Sequence, residues 1–437
     1  MDSQGSNILE IVDNHLCHGC GACAYLAPDQ LKMVDTVAHG RRPSLAGESP
    51  EAASTAQVCS GAAWPERPKL ATGGIAELDP VWGPVLEVWE GYSTDAEIRH
   101  RGSSGGAVTA LALYGVEKGG QYGALHVQAR RDAPLLNHAV LSRDRASLLA
   151  GAGSRYAPAS PCEELGQIEQ APGPCVFIGK PCDVASTTRA MSLRPGLERN
   201  IGLRIAIFCA GTPANSGTVE LVRKLGADDP ARVDDIRYRG EGWPGEITAS
   251  WKSPETGERV TRSISYADGW GNILQKHRQW RCQVCADHTG EHADLSVGDP
   301  WYRPVGPEEA GRSLILVRTE RGRAWLQAAR EAGYLEIERC EPWVLEASQK
   351  HLLRTQASVW GRSIALRLTG VSAPRFPGIT LFSNWLKRLG VKEKAQSVWG
   401  TFTRVFRKRL RDSERARMLP DREITARESP ETSSGSR

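Results

Sequence analysis

Two cysteines that stand two residues apart place the strongest constraint on this chain. Cys282 and Cys285 form a C-x-x-C turn, which directs two thiolates at one metal centre. A zinc ion or an iron–sulfur cluster needs about four protein ligands, so the fold must bring further residues to this turn. If no other cysteine reaches it, His288 and His292 are the next candidates and would indicate zinc.

Apolar runs followed by helix-like segments predict the architecture. Residues 173–179 and 201–208 have the composition of buried strands, and helical segments follow at about 183–191 and about 215–225. Strands that alternate with helices predict an α/β fold with a mainly parallel sheet. The loops that follow parallel strands meet at one edge of the sheet, which is where functional sites form.

Two cysteines lie at that predicted edge. Cys182 and Cys209 come directly after the two strands. We expect them to join Cys282 and Cys285 as the four thiolates of one 4Fe–4S cluster. The alternative is that both are inert buried thiols, which is a common location for cysteine.

A second cysteine motif lies near the N-terminus. Cys17, Cys20 and Cys23 form C-x-x-C-x-x-C, which is the opening of a bacterial ferredoxin motif. Ala27 occupies the position of the usual fourth cysteine, and Cys59 is the next cysteine along the chain. These four cysteines therefore predict a single 4Fe–4S cluster in this segment.

Zinc is the alternative for the N-terminal motif, with His18 or His39 as an additional ligand. Three cysteines at this close spacing favour iron–sulfur over zinc. The remaining cysteines, Cys162, Cys175 and Cys340, have no ligand-like surroundings in the sequence, and we expect them to be structural.

Composition narrows the class of protein. The 437 residues are 40% hydrophobic and 24% charged, which is typical of a soluble chain of two or three domains. The net charge of +4 does not indicate nucleic-acid binding. No apolar run approaches the ~20 residues that span a bilayer, and residues 1–14 do not resemble a secretory signal. We therefore expect a cytoplasmic protein whose 11 cysteines are metal ligands more often than disulfides.

Two small-residue loops are candidate cofactor sites. Residues 101–106 lead into a predicted helix at 107–118, and a loop of glycine and serine at a helix N-terminus favours an anion such as phosphate. Its candidate binding residues are Ser103, Ser104, Gly105 and Gly106. The alternative is a simple N-cap.

The second loop contains Gly153, Ser154, Arg155 and Tyr156. Here an arginine could pair with phosphate and a tyrosine could pack on a ring, or the loop could be a surface turn.

A third candidate loop lies at 238–245, between predicted strands. It contains Arg239, two aromatic residues and three glycines. Such a loop could lie over a flat ring or could be a plain turn.

The predicted domains are a ferredoxin-like iron–sulfur segment at 1–80, an α/β domain at 81–350 that carries the cofactor loops and the second set of cluster cysteines, a helical extension at 351–418 and a disordered tail at 419–437. Apolar residues of the extension repeat at helical spacing: Trp399, Phe402, Val405, Phe406 and Leu410. Its other face is basic, so the helix could dock on its own domain, on a partner or on a membrane surface.

The order of these motifs resembles the coenzyme F420 hydrogenase/dehydrogenase beta-subunit family, to which 7-hydroxymethyl chlorophyll a reductase is related. The resemblance covers about residues 10–345. It is carried by the ferredoxin-like start and by the segments at 101–106, 153–156, 179–182, 208–209, 239–240 and 282–299.

The resemblance implies a flavoprotein with FAD and 4Fe–4S clusters. The positions that match residues near the flavin are Ser104, Gly105, Gly106, Ser154 and Arg155. Those that match cluster ligands are Cys182, Cys209, Cys282 and Cys285.

Family members usually have threonine where this chain has Lys180. A lysine beside a flavin favours the anionic reduced form, so we assign Lys180 a catalytic role.

The predicted activity is an oxidoreductase that moves electrons between a reduced donor, FAD, two 4Fe–4S clusters and a substrate or partner subunit. Coenzyme F420, ferredoxin and a nicotinamide are the candidate donors. One alternative is a non-catalytic electron-transfer subunit of a larger complex, and another is a zinc-stabilised binding protein. The sequence leaves the substrate open, and also whether the chain forms a homo-oligomer.

Overall fold

The computed structural model describes residues 7–45, 55–304, 306 and 309–415. The tail predicted to be disordered, 419–437, lies outside the described residues. The strands are β1 (Leu31–Thr36), β2 (Gly40–Leu45), β3 (Glu87–Ser93), β4 (Gly123–Ala129), β5 (Asn137–Ser142), β6 (Cys175–Gly179), β7 (Ile201–Ile207), β8 (Val233–Arg237), β9 (Glu246–Lys252), β10 (Arg259–Ser265), β11 (Leu295–Gly298), β12 (Ser313–Val317) and β13 (Leu335–Arg339).

The helices in the first three quarters of the chain are α1 (Ile8–Asp13), α2 (Ala22–Leu26), α3 (Asp79–Trp82), α4 (Ala96–Arg101), α5 (Ala107–Glu117), α6 (Arg145–Ala150), α7 (Leu165–Glu169), α8 (Pro181–Met191), α9 (Pro195–Asn200), α10 (Asn215–Lys224), α11 (Trp280–Gln283) and α12 (Glu320–Glu331). Those that follow are α13 (Trp343–Ser348), α14 (Lys350–Ala357), α15 (Val359–Leu368), α16 (Leu381–Arg388) and α17 (Val391–Arg407). Single turns of 3₁₀ helix lie at Pro161–Glu164, Pro230–Arg232 and Leu274–His277, and a π-helix lies at Ala267–Ile273.

An eight-stranded mixed sheet forms the centre of the protein, in the order β13-β3-β12-β11-β7-β6-β4-β5. The four neighbouring strands β11, β7, β6 and β4 are parallel. The strands outside them pair antiparallel. The predicted α/β class is confirmed, and the parallel pairing predicted from the strand–helix alternation is found at the centre of the sheet, whereas its flanks run antiparallel.

The central strands are buried on both faces, as parallel strands covered by helices require. Every residue of β6 and of β12 is buried. Helix α8 begins directly after β6 because Pro181 is accommodated in a first turn and Asp183 accepts the Lys180 backbone N–H at 2.9 Å. This connection carries Cys182 to the carboxyl edge of the sheet.

Two smaller sheets flank the main one. Strands β8, β9 and β10 form an antiparallel sheet, and β1 pairs with β2 as a hairpin. This hairpin was not predicted, because the segment 24–80 is rich in Ala, Gly, Pro and Ser. It holds Arg41 and Arg42 under the N-terminal cysteines, with Arg42 bonded to Glu414 and to Gln279.

The C-terminal helices pack on the body and on each other. Gly361 of α15 lets α17 approach closely, since a side chain at Gly361 would lie 2.1 Å from Ser397 Oγ. Helix α17 therefore buries Ser397, Thr401 and Val405, while Trp399 is 70% exposed. Of the apolar residues predicted to repeat along this helix, Val405 is buried, whereas Trp399 and Phe406 are exposed, because the buried face of the helix consists mainly of small polar residues. No helix among the described residues has both the length and the apolar character to cross a bilayer.

Candidate functional site

The four N-terminal cysteines lie together in a buried position. We call Cys17, Cys20, Cys23 and Cys59 the N-terminal cysteine group; each is less than 10% exposed. Burial raises the pKa of Cys17 to about 12 and that of Cys59 to about 11, and the charge of neighbouring cysteines in the group adds to both. Thiols that share a site in this way ionise most readily when a metal binds them.

Cys20 is the member of this group whose surroundings favour the thiolate. A hydrogen bond from Cys162 lowers its pKa well below the usual value, with help from His18 and from Ser186, whose Oγ lies 3.4 Å from Cys20 Sγ. Cys162 also donates to the Asp183 carbonyl at 3.4 Å. The structural role expected for Cys162 therefore includes the support of a candidate ligand.

The second cysteine group, Cys182, Cys209, Cys282 and Cys285, collects at the carboxyl edge of the sheet. Its members are half-buried. Burial raises the pKa of Cys209 to about 12, and the charges of Cys282 and Cys285 add to this increase. Burial also raises the pKa of Cys182, and the charges of Cys209 and Cys285 add to this increase. The structure thus brings Cys182 and Cys209, which were expected at this edge from the strand ends, near Cys282 and Cys285 of the C-x-x-C turn.

Backbone amides face two of these sulfur atoms. The Gly211 N–H donates to Cys209 Sγ and the Thr212 N–H donates to Cys282 Sγ, both at 3.4 Å. Such N–H···S bonds stabilise thiolates and tune the potential of an iron–sulfur cluster. His288, the predicted alternative ligand, instead has its Nδ1 2.8 Å from the Cys209 carbonyl oxygen.

The number and kind of ligands in each group match what an iron–sulfur cluster needs. Each group supplies four thiols, and a 4Fe–4S cluster is held by four cysteine thiolates. In the described parts of the chain, no three sulfur atoms of either group lie within 4.8 Å of one another, whereas four thiolates on one zinc ion, with Zn–S bonds of ~2.3 Å, would lie about 3.8 Å apart.

Ser60 connects the two cysteine groups. Its Oγ lies 2.8 Å from His18 Nε2 and 2.8 Å from Ser186 Oγ, and it donates to the Cys182 carbonyl at 3.0 Å. Ligand-type atoms of His18, Cys182 and Asp183 approach within 4.8 Å of one another. The first cysteine motif therefore packs directly against the first turn of α8.

The two small-residue loops line one cleft of about 300 Å³, which we call the cofactor cleft. Ser103, Ser104 and Gly106 of the first loop lead into the N-terminus of α5, where N–H groups have no intrahelical acceptor. Ser103 joins the loops, because its Oγ accepts a hydrogen bond from the Ser154 N–H at 2.5 Å. Gly153, with a φ of +95°, makes the turn that brings this amide into place.

Gly105 has a different position from its neighbours. A side chain there would lie 2.5 Å from the Gly91 carbonyl oxygen and 2.8 Å from the Ser313 backbone nitrogen. Its own N–H donates to Ser313 Oγ at 3.0 Å. The missing side chain of Gly105 thus serves the packing of the loop on the sheet, and a larger residue would disturb the fold before it disturbed any ligand.

Arg155 makes three hydrogen bonds within the protein. Its Nε donates to Asn137 Oδ1 at 2.8 Å, and its Nη atoms donate to the carbonyls of Ile236 and Pro134, each at 2.7 Å. Two of the five guanidinium N–H donors remain. Arg155 therefore fixes the second loop, and its pairing with phosphate stays a prediction.

An aromatic wall closes one side of the cofactor cleft. It consists of Tyr156, Tyr266, Trp270 and Trp301. Tyr156 and Trp270 have ring centroids 4.7 Å apart, and Tyr266 stacks on Trp301 with an interplanar angle of 7°. Flat rings on one side of a cleft whose other sides carry polar groups suit a planar cofactor or substrate.

Arg239 lies behind this wall rather than free in the cleft. Both of its Nη atoms donate to the Asp299 carboxylate at 2.9 Å, and its guanidinium carbon lies 4.7 Å from the Tyr266 ring centroid. Burial alone would lower the pKa of Arg239, but Asp299 raises it above the usual value. Arg239 is thus a cation that orients the wall, and Asp299 is its fixed partner.

Lys180 and Cys209 both line the cofactor cleft. The Lys180 Nζ lies 2.6 Å from Asp183 Oδ2. Burial would lower the pKa of Lys180, but the charges of Asp183 and Cys182 raise it, so the ammonium group is retained. A cation therefore lies between the cleft and the second cysteine group.

Sequence reasoning missed the partners of the predicted residues. Asp299 and the aromatic residues at 266, 270 and 301 carry no motif of their own. The Gly-Asp-Pro-Trp segment at 298–301 follows a strand, and a carboxylate beside an aromatic position at a strand end was the available signal.

Comparison with known families decides the relationship. Residues 88–165 match the family described as coenzyme F420 hydrogenase/dehydrogenase, beta subunit N-term, and residues 174–342 match the family that describes the C terminus of the same beta subunit. Together these segments cover more than half of the chain. The chain belongs to this family. These matches confirm the resemblance seen in the order of the motifs. The coenzyme F420 hydrogenase/dehydrogenase beta-subunit family consists of oxidoreductase subunits.

Two of the curated relatives are beta subunits of named redox enzymes. The chain is 27% identical over 248 residues to a coenzyme F420 hydrogenase subunit beta of Methanococcus voltae, a match that covers 56% of this chain and 81% of the relative. It is 25% identical over 267 residues to an F420-dependent formate dehydrogenase 1 subunit beta of Methanococcus maripaludis, covering 60% of this chain and 64% of the relative.

A solved structure shares the fold of this family member. A chain of the F420-reducing [NiFe] hydrogenase complex from Methanosarcina barkeri matches with a TM-score of 0.51 and 20% identity, covering 68% of this chain and 97% of that chain. At this identity the likeness supports the fold alone. Both family segments end before α14, so helices α14–α17 lie outside them.

Proposed function

We propose that this protein is an iron–sulfur flavoprotein oxidoreductase that passes electrons between a reduced donor and a substrate or partner subunit. The observation that carries the proposal is that Cys209 and Lys180 line the same cleft as the two small-residue loops. A candidate cluster ligand and a candidate flavin site thus share one wall. FAD would be held by Ser103, Ser104, Gly106, Ser154 and the first turn of α5.

A bound flavin would exchange two electrons with its donor, and each 4Fe–4S cluster would carry one electron at a time. Lys180 would hold positive charge beside the flavin and favour its anionic reduced form. The aromatic wall would orient a planar ring and exclude water from it. The amides of Gly211 and Thr212 would stabilise the thiolates of Cys209 and Cys282.

The N-terminal cysteine group would supply the second carrier. Its contact with the second group through Ser60 and His18 supports passage of electrons from the cofactor cleft toward the hairpin β1–β2. Two of the relatives are named as beta subunits of a hydrogenase and of a formate dehydrogenase. We therefore infer that other redox subunits are the partners of this chain.

Anaerobic purification followed by iron, sulfide and flavin analysis tests the cofactors. Stopped-flow mixing with reduced coenzyme F420, NADH, NADPH and reduced ferredoxin then tests the donor. We expect bleaching of flavin absorbance by one of these donors. Stoichiometric zinc with neither iron nor flavin would support a zinc-stabilised binding protein instead.

The second candidate function is a non-catalytic electron-transfer subunit. The names of the relatives favour it, because one subunit of a redox complex often depends on another chain for its substrate site. In that case the isolated protein would be reduced by a small donor but would turn over only when a partner subunit is added.

A further inference from the structure

A second cleft opens beside the aromatic wall. It has a volume of about 950 Å³ and lies between the body and helices α14, α15 and α17. Tyr266, Trp270 and Trp301 line both this cleft and the cofactor cleft. A molecule whose ring lies on the wall could therefore extend its remaining groups into this second cleft.

Four arginines line the second cleft: Arg354 is exposed and pairs with Glu393, and the other three are Arg278, Arg362 and Arg404. Within the described residues, no carboxylate lies at ion-pair distance from any of the three. The Nε atom of each is buried and has no hydrogen-bond acceptor in the described protein. The three side chains are half-buried, and a guanidinium group that is partly removed from water without an anionic partner is uncommon, because a buried charge is costly unless it is paired.

The other hydrogen bonds of these arginines hold them in place. Arg278 donates to the Ala210 carbonyl at 2.9 Å, Arg404 donates to Thr401 Oγ1 at 3.2 Å, and Arg362 donates to the Gln283 carbonyl. All three acceptors are neutral. The guanidinium groups are thus positioned by the fold while their charge is not neutralised.

Electrostatics of the cleft points to an anion. Burial lowers the pKa of Arg362 to about 10, and the charges of Arg404 and Arg278 add to this decrease, so the group is still a cation at neutral pH. Glu393 also lines the cleft, but it pairs with Arg354 at 3.3 Å. Because Glu393 and Arg354 neutralise each other, the net charge of the lining comes from Arg278, Arg362 and Arg404 and is positive.

We propose that Arg278, Arg362 and Arg404 bind the phosphate or carboxylate group of the aromatic redox substrate whose ring lies on Trp270 and Trp301. Guanidinium groups suit both anions because they donate in a planar, bidentate geometry. The identity of this substrate as a redox partner rests on the proposed function. The anion site itself rests only on the three arginines, and two of them belong to helices α15 and α17, beyond the family segments.

A competing role for the arginines is to balance the charge of the second cysteine group. Arg362 contacts the carbonyl of Gln283, which lies between Cys282 and Cys285. If that were their whole role, substitutions would change iron content or cluster potential and would leave anion binding unaffected. The two roles are therefore separable by a binding measurement.

Isothermal titration calorimetry on the anaerobically purified full-length protein tests the proposal. Inorganic pyrophosphate and glutarate serve as separate probes at low ionic strength, so that phosphate and carboxylate recognition are distinguished. We expect saturable binding of at least one probe, with a Kd at least tenfold higher in Arg362→Gln and in Arg404→Gln. Arg362→Lys and Arg404→Lys should recover part of the affinity if the glutamine variants fold poorly.

Arg354→Gln is the matched control, because Arg354 lines the same cleft but is exposed and paired with Glu393. Its Kd should change less than twofold. Absence of saturable binding for both probes overturns the proposal, and so does an equal Kd in the wild type and the Arg362 and Arg404 variants.

Iron and flavin analysis of the same samples separates this proposal from the proposed function. Probe binding by a protein that contains neither iron nor flavin would refute the redox function and support the anion site. A protein with full iron and flavin content that binds neither probe would support the redox function and refute the anion site.

Discussion

Arg239 and Asp299 form a bidentate ion pair in which both N–O distances are 2.9 Å. The guanidinium is only 2% exposed, and Trp243 Nε1 donates to the same carboxylate at 2.9 Å. The pair fixes the loop 238–245 against the segment that carries Trp301. Trp243, and Trp301 of the aromatic wall on which it stacks, thereby depend on one carboxylate.

We predict that Asp299→Ala lowers the free energy of unfolding by about 3–5 kcal/mol, because it leaves the Arg239 charge buried and unpaired. Denaturant unfolding monitored by tryptophan fluorescence measures this change. Asp132→Ala is the control, since Asp132 pairs with Arg130 at an exposed site and should contribute about 1 kcal/mol or less. Equal effects of the two substitutions would contradict a structural role for the Arg239–Asp299 pair.

We predict that the purified protein contains about eight iron atoms and that Cys59→Ala reduces this number to about four. Removal of one of four thiolates should release the N-terminal cluster and leave the other in place. Iron analysis after anaerobic purification measures the change. Cys175→Ala removes a buried thiol of β6 that lies outside both cysteine groups, and it should leave the iron content unchanged. Loss of iron in Cys175→Ala would show that the assay reports general instability.

The strand positions were predictable because each central strand is a short apolar run bounded by glycine, proline or a polar helix start. The predicted strand at 173–179 agrees with β6, and that at 201–208 agrees with β7. Strand direction at the sheet edges was not predictable, since β3 pairs with β12 and β13 from distant parts of the chain. Local patterns carry no information on such pairing.

The candidate site was predictable where residues of one type share a sheet edge. Cys182 and Cys209 follow adjacent parallel strands, and topology alone places them together. Of the aromatic wall, Tyr156 was predicted, but Tyr266, Trp270 and Trp301 were not, because they come from the start of the π-helix and from the segment after β11 and meet only through tertiary packing. The loop composition singles out Arg239, yet the role of this residue depends on Asp299, sixty positions away in sequence.

We predict that Lys180→Thr lowers the two-electron reduction potential of the bound flavin by about 30–60 mV. Loss of a nearby cation should destabilise the anionic reduced flavin by about 1.4–2.8 kcal/mol, with 30 mV equal to about 1.4 kcal/mol for two electrons. Spectroelectrochemical titration measures the potential. Lys180→Arg keeps the charge beside Asp183 and should retain most of the wild-type value. A potential that is the same in all three proteins would mean that Lys180 lies too far from the flavin to act on it.

His126 gives the chain a predictable dependence on pH. It is 7% exposed, lines the cofactor cleft and has Nε2 2.8 Å from Ser142 Oγ. Burial lowers its pKa to about 4, below the usual value near 6.5. The folded state therefore binds fewer protons than the unfolded state between these values, so this contribution to stability is complete above about pH 6.5 and is lost as pH falls toward 4.

We predict that His126→Gln loses less stability than the wild type between pH 8 and pH 5.5. The linkage relation gives a difference of about 1.4 kcal/mol at pH 5.5, because the unfolded imidazole is largely protonated there and the folded one is not. Denaturant midpoints of both proteins at each pH measure the difference, and comparison at the same pH removes the contributions of other titrating groups. Parallel pH profiles for the two proteins would show that His126 takes up a proton in the folded state as readily as in the unfolded one.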